Sequence, residues 1–287
     1  MLVTIKSVNR TIELKALVFD LDGTLLGPGA VLSERTLKAV ESCRLKGIEI
    51  ILATGRAVEA SEKYRAPIGA IGPMVYFNGA IVADMPGNKI LYTTLLSKEI
   101  AEFCFELSRE RGVYFQFYVP GTDAKLGQPL LTAGEDAKRD MYHKHTGLLA
   151  EICDLKKVLS DSGTKGCIKA MFLGDPNVLD ELRPCIEGRF GKDVYVVRST
   201  NTFLEILNPA VSKGAGLDLV LKKRGIKNEE VMVFGDEEND LPMFPNAGLA
   251  VCPANAKDTV KEKADFICGS NAEDGVAVFL EQHIVNA

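Results

Sequence analysis

Short, almost continuously apolar runs that alternate with helix-length segments are the feature that most constrains the fold of this chain. The clearest runs are residues 14–19, 48–53 and 231–234. A strand without polar alternation is buried on both faces, which is typical of parallel sheets covered by helices. The pattern therefore predicts an α/β fold with a doubly wound, mainly parallel sheet as its Rossmann-like core. Weaker candidate strands are residues 74–77, 249–251 and 265–267.

Residues suited to start and stop helices lie between these runs. Ser33 can cap a helix over residues 33–46, and Gly47 can end that helix. The same alternation of strand and helix returns near the end of the chain, so we expect the sheet to resume there. The further helices are expected at residues 213–224, 241–244 and 256–263, and from Glu273 onward.

The middle of the chain has a different texture. Between about residues 84 and 199, segments of alternating polarity are separated by longer helices. We expect an inserted α+β domain at residues 84–199, flanked by the two parts of a core domain at residues 1–83 and 200–287. The segment before Leu14 has strand-like character and is expected to add an edge strand or to fray.

The composition of the chain argues against some classes of binding partner and indicates a cellular compartment. The 287 residues carry a formal net charge of −5, and the absence of a basic cluster argues against nucleic acid or an anionic membrane as the main partner. The seven cysteines are scattered without a CxxC pair, which indicates neither a disulfide framework nor a zinc cluster. No apolar stretch is membrane-length. We expect a soluble, cytoplasmic protein, whose oligomeric state does not follow from the sequence.

Two carboxylates, Asp20 and Asp22, directly follow the first apolar run. In an extended segment they would project to the same side, and two such charges at roughly 4 Å repel by about 4 kcal/mol at an effective dielectric of about 20. A bound Mg2+ would turn this repulsion into attraction. A solvated Asp-Gly turn explains the fragment alone equally well.

Two more polar clusters follow strands in the same way. Thr54, Gly55 and Arg56 follow residues 48–53 and could hold phosphate oxygens through a hydroxyl and free N–H groups, although a simple helix cap is the commoner role. Residues 235–240, Gly-Asp-Glu-Glu-Asn-Asp, follow the run that ends at residue 234; alone, they suit a solvated helix start. Ligands of doubly wound sheets bind beyond the carboxyl ends of strands, so we expect all three clusters to meet.

Taken in this order, these residues resemble the haloacid dehalogenase superfamily of phosphohydrolases. The DxDGT motif matches residues 20–24, the Thr motif Thr54, the Lys motif Lys213 and the GDxxND motif residues 235–240. The Asn78-Gly79-Ala80 segment and the position of the insertion are similar to the Cof-type, sugar-phosphatase branch, in which the inserted domain is a cap. The resemblance covers the whole chain except about the first dozen residues.

The resemblance implies a Mg2+-dependent phosphatase that acts on small organic phosphate monoesters, such as sugar phosphates, through an aspartyl-phosphate. Asp20 would be the nucleophile and Asp22 the general acid and base. The Asp20 and Asp236 side chains and the Asp22 main-chain carbonyl would hold Mg2+. The implied phosphate-binding residues are Thr54, Gly55, Lys213 and Asn239, with Asp240 in an outer role and Asn78 as the weakest candidate, since Asn-Gly also marks a hairpin turn.

Several alternatives remain open on the sequence. The side chains of Lys138, Arg139, His143 and His145 could face a substrate, but a charged helix face in solvent is favoured, and their spacing does not suggest zinc. A phosphotransferase or mutase on the same scaffold, or a non-catalytic phosphate-binding regulator, are the alternative functions. The regulator is disfavoured because a mere phosphate binder could dispense with Asp22. A true dehalogenase is disfavoured because halide release needs neither Mg2+ nor a second carboxylate.

Overall fold

The computed structural model describes residues 2–5, 10–121, 127–161 and 163–286. Its strands, in chain order, are β1 (Leu2–Ile5), β2 (Arg10–Glu13), β3 (Ala16–Phe19), β4 (Glu49–Leu52), β5 (Gly72–Tyr76), β6 (Ile81–Met85), β7 (Lys89–Thr93), β8 (Tyr114–Tyr118), β9 (Leu130–Thr132), β10 (Glu151–Ile152), β11 (Lys169–Leu173), β12 (Tyr195–Thr200), β13 (Phe203–Leu207), β14 (Val231–Phe234), β15 (Leu249–Pro253) and β16 (Phe266–Cys268). Its α-helices are α1 (Glu34–Leu45), α2 (Val58–Arg65), α3 (Lys98–Arg111), α4 (Ala137–Thr146), α5 (Leu155–Ser160), α6 (Pro176–Phe190), α7 (Lys213–Arg224), α8 (Asp258–Lys261) and α9 (Gly275–Leu280).

The central sheet is parallel and has the strand order β16-β15-β14-β3-β4. Every residue of β3 is fully buried, as the lack of polar alternation predicts. The carboxyl ends of β3, β4 and β14 lie side by side, because Phe19 is in register with both Leu52 and Phe234. The predicted α/β fold with a parallel sheet is confirmed, and its strand order brings the three polar clusters to one edge.

Helices α1 and α7 agree with the helices expected from the sequence, and the other expected helices differ from them for local reasons. Ser33 accepts a hydrogen bond from the Thr36 N–H (3.0 Å) at the start of α1, and α7 has the expected bounds. Residues 241–244 lie in a 3-10 segment, Glu238–Asn246, whose prolines remove N–H donors that an α-helix needs. The last helix begins at Gly275, because Asp274 has a left-handed φ of 56°. The helix expected at residues 256–263 is the shorter α8.

The strand expected at residues 74–77 does not continue the parallel sheet. It is β5, which pairs antiparallel with β6 in a separate sheet of order β5-β6-β7. The turn Phe77–Gly79, in which Asn78 has a left-handed φ of 57°, reverses the chain and forms the hairpin that Asn-Gly indicates. One parallel bridge between Ala53 and Val75 connects this sheet to the central one.

The middle of the chain forms a second large sheet, with the order β10-β9-β8-β11-β13-β12 and mainly antiparallel pairing. Its strands alternate between two buried faces. One face, with Phe117, Phe172 and Leu204, forms its own core, into which α3 and α6 pack. The other face, with Tyr118 and Met171, belongs to the same hydrophobic cluster as the central sheet. This second face therefore closes over the edge where the polar clusters meet.

The strand pairing places the limits of the second large sheet at other residues than the domain boundaries expected from the sequence. The expected boundaries at residues 83/84 and 199/200 both fall inside strands, β6 and β12. The mainly antiparallel sheet continues through β13 to Leu207. The division into a core and an inserted cap stays a prediction, and we propose that the cap lies between the end of β7 and the end of β13.

The start of the chain forms a hairpin of its own. Strands β1 and β2 pair antiparallel as a two-stranded sheet, so the strand-like character is real but no edge strand is added to the central sheet. Residues 6–9 lie outside the described residues. Among the helices that are described, none has the length and apolar character that crossing a membrane requires.

Candidate active site

The chain turns sharply after Asp20. The Asp20 N–H donates to the Phe234 carbonyl (3.0 Å), and the Leu26 N–H donates to the Leu21 carbonyl (2.8 Å). Gly23 adopts a φ of +78°, and a Cβ there would overlap the Asp236 carboxylate. The structure has the Asp-Gly turn that the sequence left open as the alternative to an extended segment. The turn gives the two carboxylates different partners instead of one shared side.

Three buried carboxylates meet at the carboxyl ends of β3 and β14. Oxygen atoms of Asp20, Asp236 and Asp240 lie within 4.8 Å of one another, and the three residues are 5%, 7% and 0% exposed. The Thr24 hydroxyl donates to Asp236 Oδ1 (2.6 Å). The structure thus brings together two of the expected metal ligands, Asp20 and Asp236, with Asp240 beside them.

Lys213 is the cation of this cluster. It opens α7 after Ser212, whose hydroxyl accepts a hydrogen bond from the Ala215 N–H. The Lys213 side chain is fully buried, and its Nζ lies 2.6 Å from both Asp20 Oδ1 and Asp240 Oδ1. Burial alone would lower the pKa of Lys213, but the charges of Asp20 and Asp240 outweigh it and raise the pKa. An ordinary exposed lysine is excluded.

Asp240 has both of its oxygens engaged. Oδ1 accepts from Lys213, and Oδ2 accepts the main-chain N–H groups of Asp236 (2.9 Å) and Glu237 (3.0 Å). These contacts fix the loop that carries Asp236 and hold the Lys213 ammonium against Asp20. The arrangement supports the outer role predicted for Asp240.

The carboxylate cluster is electrostatically suited to a divalent cation. Burial raises the pKa of Asp20 to about 8; Lys213 opposes this rise, while Asp240 and Asp22 add to it. Burial, followed by the charges of Asp240 and Asp20, raises the pKa of Asp236 well above its usual range. Clustered, buried oxygen ligands that resist ionisation are stabilised by a bound cation, and a hard oxygen donor set matches Mg2+. The residues present therefore fit the metal that the resemblance implies.

Asp22 faces a different cation, Arg56. Arg56 Nε lies 2.6 Å from Asp22 Oδ2, and Nη2 lies 2.6 Å from Oδ1. Burial raises the pKa of Asp22, but the hydrogen bonds and charge of Arg56 outweigh it, so the net pKa is lowered. His145 Nε2 lies 3.4 Å from Asp22 Oδ1. The sequence placed Arg56 in the segment that could hold phosphate and left His145 as a residue that could face a substrate, but it did not predict that either contacts Asp22.

Helix α4 is not the uniformly solvated face that the sequence favours. His145 lines the cavity beside Asp22. Arg139 donates to the Ala150 carbonyl (2.9 Å) and pairs with the exposed Glu135 (2.8 Å). His143 is exposed, as expected. The helix runs along the edge of the site, so the preference for a solvent face is wrong for His145 and Arg139.

Two of the expected phosphate-binding residues, Gly55 and Asn239, line the same cavity as Asp20 and Asp22. Thr54 is fully buried, and its hydroxyl accepts the Arg56 N–H (3.1 Å). Asn239 Nδ2 donates to Asn78 Oδ1 (2.9 Å), while the buried Asn239 Oδ1 has no hydrogen-bond partner among the described residues. Gly55 packs against both asparagines. Residues Gly55, Asn78 and Asn239 are thus brought together, next to the acidic cluster.

A cavity of about 40 Å³ lies between the core and the cap. A space of this size holds about three water molecules. The sequence did not assign the cap residues that contribute to this wall, among them Lys169 and Glu205. The lining residues are Asp20, Asp22, Gly55, Arg56, Tyr142, His145, Thr146, Lys169, Ser199, Thr200, Phe203, Glu205 and Asn239.

A parallel sheet whose strands end in buried aspartates held by a lysine defines an α/β protein with an acidic centre suited to a metal ion. The family model described as "haloacid dehalogenase-like hydrolase" matches residues 17–280, and the chain belongs to this family.

Relatives and solved structures agree with this assignment. A "putative phosphatase" of Haemophilus influenzae is 30% identical and covers 93% of this chain and 95% of its own length. A "5-amino-6-(5-phospho-D-ribitylamino)uracil phosphatase" of Bacillus subtilis is 27% identical, with coverages of 93% and 94%. A crystal structure from Thermotoga maritima matches with a TM-score of 0.76 at 30% identity, covering 94% of this chain and 97% of that one. The chain spans 44% of a longer relative, a chloroplastic endoribonuclease of Arabidopsis thaliana that is 28% identical.

These findings confirm three predictions from the sequence. The family is the one that the motifs resemble, and the fold is the predicted α/β class. The protein is an enzyme, a phosphoric monoester hydrolase. The roles of individual residues and the identity of the metal remain proposals.

Proposed function

We propose that this chain is a Mg2+-dependent phosphatase that hydrolyses small organic phosphate monoesters through an aspartyl-phosphate on Asp20. The observation that carries the proposal is the buried cluster in which Lys213 joins Asp20 to Asp240, with Asp236 within 4.8 Å. Burying three carboxylates beside a single ammonium is unfavourable unless positive charge is added. A divalent cation would supply that charge, and together with Lys213 it would attract an anionic phosphoryl group.

In the first step, an Asp20 carboxylate oxygen attacks phosphorus and the bond to the leaving oxygen breaks. Asp22 donates a proton to that leaving oxygen. Lys213, Thr54, Asn239 and the N–H of Gly55 hold the phosphoryl oxygens in line. The ester is thereby converted to an alcohol and an aspartyl-phosphate.

In the second step, water attacks the phosphorus of the aspartyl-phosphate, and Asp22 takes the proton of that water. Inorganic phosphate leaves and Asp20 is regenerated. The Asp20 and Asp236 side chains and the Asp22 carbonyl would hold Mg2+, which offsets the repulsion between carboxylate and phosphate and stabilises the charge on the transferred group. Asp240 keeps Lys213 and the Asp236 loop in place throughout.

Arg56 sets a condition on the first step. Its two hydrogen bonds favour the ionised form of Asp22, which suits the base of the second step but not the acid of the first. Asp22 therefore has to part from Arg56 before it can protonate the leaving oxygen. The phosphoryl group of the substrate is an anion that can take over the Arg56 guanidinium.

The substrate class is an ester of a hydroxyl-rich alcohol. Three hydroxyl-bearing residues, Thr146, Ser199 and Thr200, line the cavity, and hydroxyls suit the recognition of a polyol. The Bacillus subtilis relative is named for a phosphate ester of a ribityl chain, which supports this class. Sugar phosphates and sugar-alcohol phosphates are the first substrates to test.

The state of the cysteines bears on the cellular location of the enzyme. All seven cysteines are free thiols, and five of them are buried. Free cysteines are typical of proteins in a reducing compartment. We infer a cytoplasmic location for the enzyme.

The test is a panel of phosphate monoesters assayed for inorganic phosphate, with Mg2+ and with a chelator. We expect release from sugar and polyol phosphates that depends on Mg2+ and needs no acceptor. Release that requires an added acceptor sugar would indicate a phosphotransferase or mutase. No release from any ester would refute the hydrolase and favour a phosphate-binding regulator.

A further inference from the structure

The cap contributes a buried ion pair that faces the phosphate-binding wall. Lys169 begins β11, and Glu205 lies in the neighbouring strand β13, opposite Met171. Lys169 and Met171 are two residues apart, so Lys169 and Glu205 project from the same face of the sheet. Lys169 Nζ lies 2.6 Å from Glu205 Oε1, and the two side chains are 2% and 3% exposed.

Both members of this pair reach out of the cap to the core. Lys169 Nζ donates to the Gly55 carbonyl (2.8 Å) and lies 5.7 Å from the centre of the Phe77 ring. Glu205 Oε2 accepts a short hydrogen bond from Asn78 Nδ2. Two segments that carry expected phosphate-binding groups are therefore each tied to one member of the pair.

Each hydrogen bond between Glu205, Asn78 and Asn239 has a defined donor, and this fixes the orientation of the two asparagine amides. A carboxylate that faces an ammonium accepts hydrogen bonds and donates none, so Asn78 must turn its Nδ2 towards Glu205. Asn78 Oδ1 then faces Asn239 and accepts from Asn239 Nδ2 (2.9 Å). Asn239 Oδ1 has no hydrogen-bond partner among the residues described, and the second hydrogen of Asn239 Nδ2 is the one that a phosphoryl oxygen can accept. The orientation of Asn239 thus depends on Glu205, although the two do not touch.

Stability alone does not account for the pair. The desolvation of two buried charges offsets most of their attraction, and apolar replacements are often as stable. The pair does define the direction of each hydrogen bond in a relay from Glu205 through Asn78 to Asn239. It also holds the Gly55 carbonyl, in the loop between Thr54 and Arg56.

We propose that Lys169 and Glu205 are positioning residues of the cap that complete the phosphate-binding wall when the cap is seated. They set the orientation of the Asn78 and Asn239 amides and of the Gly55 carbonyl. The proposal rests on the proposed phosphatase function, because it assigns Asn239 and Gly55 to phosphate. Cap seating and phosphate binding are coupled through these contacts, so an ester is held in a reactive position only under the seated cap.

The test uses the full-length protein in Mg2+ and the near-isosteric variant Glu205→Gln. A glutamine amide can donate to Asn78 Oδ1, which would turn the Asn78 and Asn239 amides around. We expect inorganic phosphate, measured by calorimetry, to bind about tenfold more weakly or worse, the loss expected for one misdirected hydrogen bond to a charged group. We expect kcat/KM for p-nitrophenyl phosphate to fall at least as much, while the unfolding temperature changes by only a few degrees.

The double variant Asn78→Asp/Glu205→Gln is the rescue. An aspartate introduced at position 78 accepts from the new glutamine amide on one side and from Asn239 Nδ2 on the other, so the original orientation of Asn239 returns. We expect phosphate affinity and kcat/KM to recover most of the loss. A double variant no better than Glu205→Gln, or a single variant with parental phosphate affinity, would overturn the proposal.

Arg183→Met is the matched control. Arg183 pairs with Glu238 through two hydrogen bonds of 2.9 Å between α6 of the cap and the core, so it is also an ion pair across the interface but it lies off the relay. We expect parental phosphate affinity in this variant, and a loss equal to that of Glu205→Gln would overturn the proposal in favour of general cap docking. Calorimetry needs no turnover, so a parent protein that binds phosphate but releases none from esters refutes the proposed activity alone.

Discussion

Asp22 and Arg56 form an ion pair with two hydrogen bonds of 2.6 Å each, in which the Arg56 side chain is 4% exposed and that of Asp22 is 24% exposed. The pair joins the turn after β3 to the loop after β4, two neighbouring strands of the central sheet. It therefore links the proposed acid and base to the loop that is proposed to hold phosphate. We expect this ion pair to contribute to the free energy of unfolding, and we expect that contribution to depend on pH.

We predict that Arg56→Met lowers the free energy of unfolding by about 2 kcal/mol at pH 7, because it leaves the half-buried Asp22 carboxylate without its cation. The lowered pKa of Asp22 means that the pair stabilises the fold above the ordinary carboxyl pKa and loses this effect as pH falls through the lowered value. The loss caused by the variant should therefore shrink at acid pH. Urea unfolding at pH 7 and at about pH 3, below the ordinary carboxyl pKa of 3.8, measures both values.

The double variant Asp22→Asn/Arg56→Met controls for the volume of the arginine. It contains no unpaired carboxylate at this position and should be more stable at pH 7 than Arg56→Met alone. Equal losses at both pH values, or a double variant with strictly additive losses, would contradict the importance of the pair.

Removing a carboxylate from the metal cluster should weaken the response to Mg2+. We predict that Asp236→Ala raises the Mg2+ concentration for half-maximal phosphate release at least about tenfold and strongly lowers the maximal rate, because one of the proposed oxygen ligands is lost. Thr24→Val is the matched control, since the Thr24 hydroxyl donates to Asp236 Oδ1 but is not itself a proposed ligand. An unchanged Mg2+ titration in Asp236→Ala would remove this residue from the ligand set.

Mg2+ should stabilise the protein more at pH 8 than at pH 6. The pKa of Asp20 is raised to about 8 in the folded protein, so this group favours folding at low pH and its contribution is lost as pH rises from about 4 towards 8. Protons and Mg2+ compete for the same carboxylates. At 100 times its dissociation constant, Mg2+ contributes about 2.7 kcal/mol, or roughly 5–10 °C in unfolding temperature.

Thermal unfolding of chelator-treated protein, with and without Mg2+, measures this difference. Asp236→Ala should lose most of the gain at both pH values. A gain that is larger at pH 6, or none at either pH, would argue against a metal held by the Asp20 and Asp236 carboxylates.

Asp20→Asn should abolish turnover and leave the fold intact. The amide nearly matches the carboxylate in shape but cannot attack phosphorus, and the removal of a nucleophile costs on the order of 10⁴-fold or more. The far-ultraviolet circular dichroism and the unfolding temperature should stay close to those of the parent. Full activity in this variant would exclude Asp20 as the nucleophile.

The core half of the site could be predicted from the sequence for a physical reason. Asp20, Thr54 and Asp236 each follow a strand of the parallel sheet, and the carboxyl ends of such strands meet at one edge. Their proximity therefore depends only on strand order. The turn at Gly23 was visible as a motif, but the separation of Asp22 from Asp20 was not, because Arg56 becomes its partner only after β4 pairs with β3.

The cap half could not be predicted in the same way. His145 contacts Asp22 only because α4 packs against the turn after β3. The sequence of a polar helix has no hydrophobic periodicity that would predict this contact. Lys169 and Glu205 did leave a signal, since each is a lone charged residue in an otherwise apolar buried strand. Buried charges of this kind are paired, so each one indicates a partner that the sequence alone does not name.

The most direct test of the account is to trap the phosphorylated enzyme. p-Nitrophenolate leaves without protonation, so Asp22→Asn should still be phosphorylated by p-nitrophenyl phosphate but should lose the water-activating base and accumulate the aspartyl-phosphate. Acid quench, peptic digestion and mass spectrometry locate the phosphoryl group. We expect the phosphoryl group on Asp20, with none in the Asp20→Asn variant. A phosphoryl group on another residue, or turnover without any phosphoenzyme, would contradict Asp20 as the nucleophile.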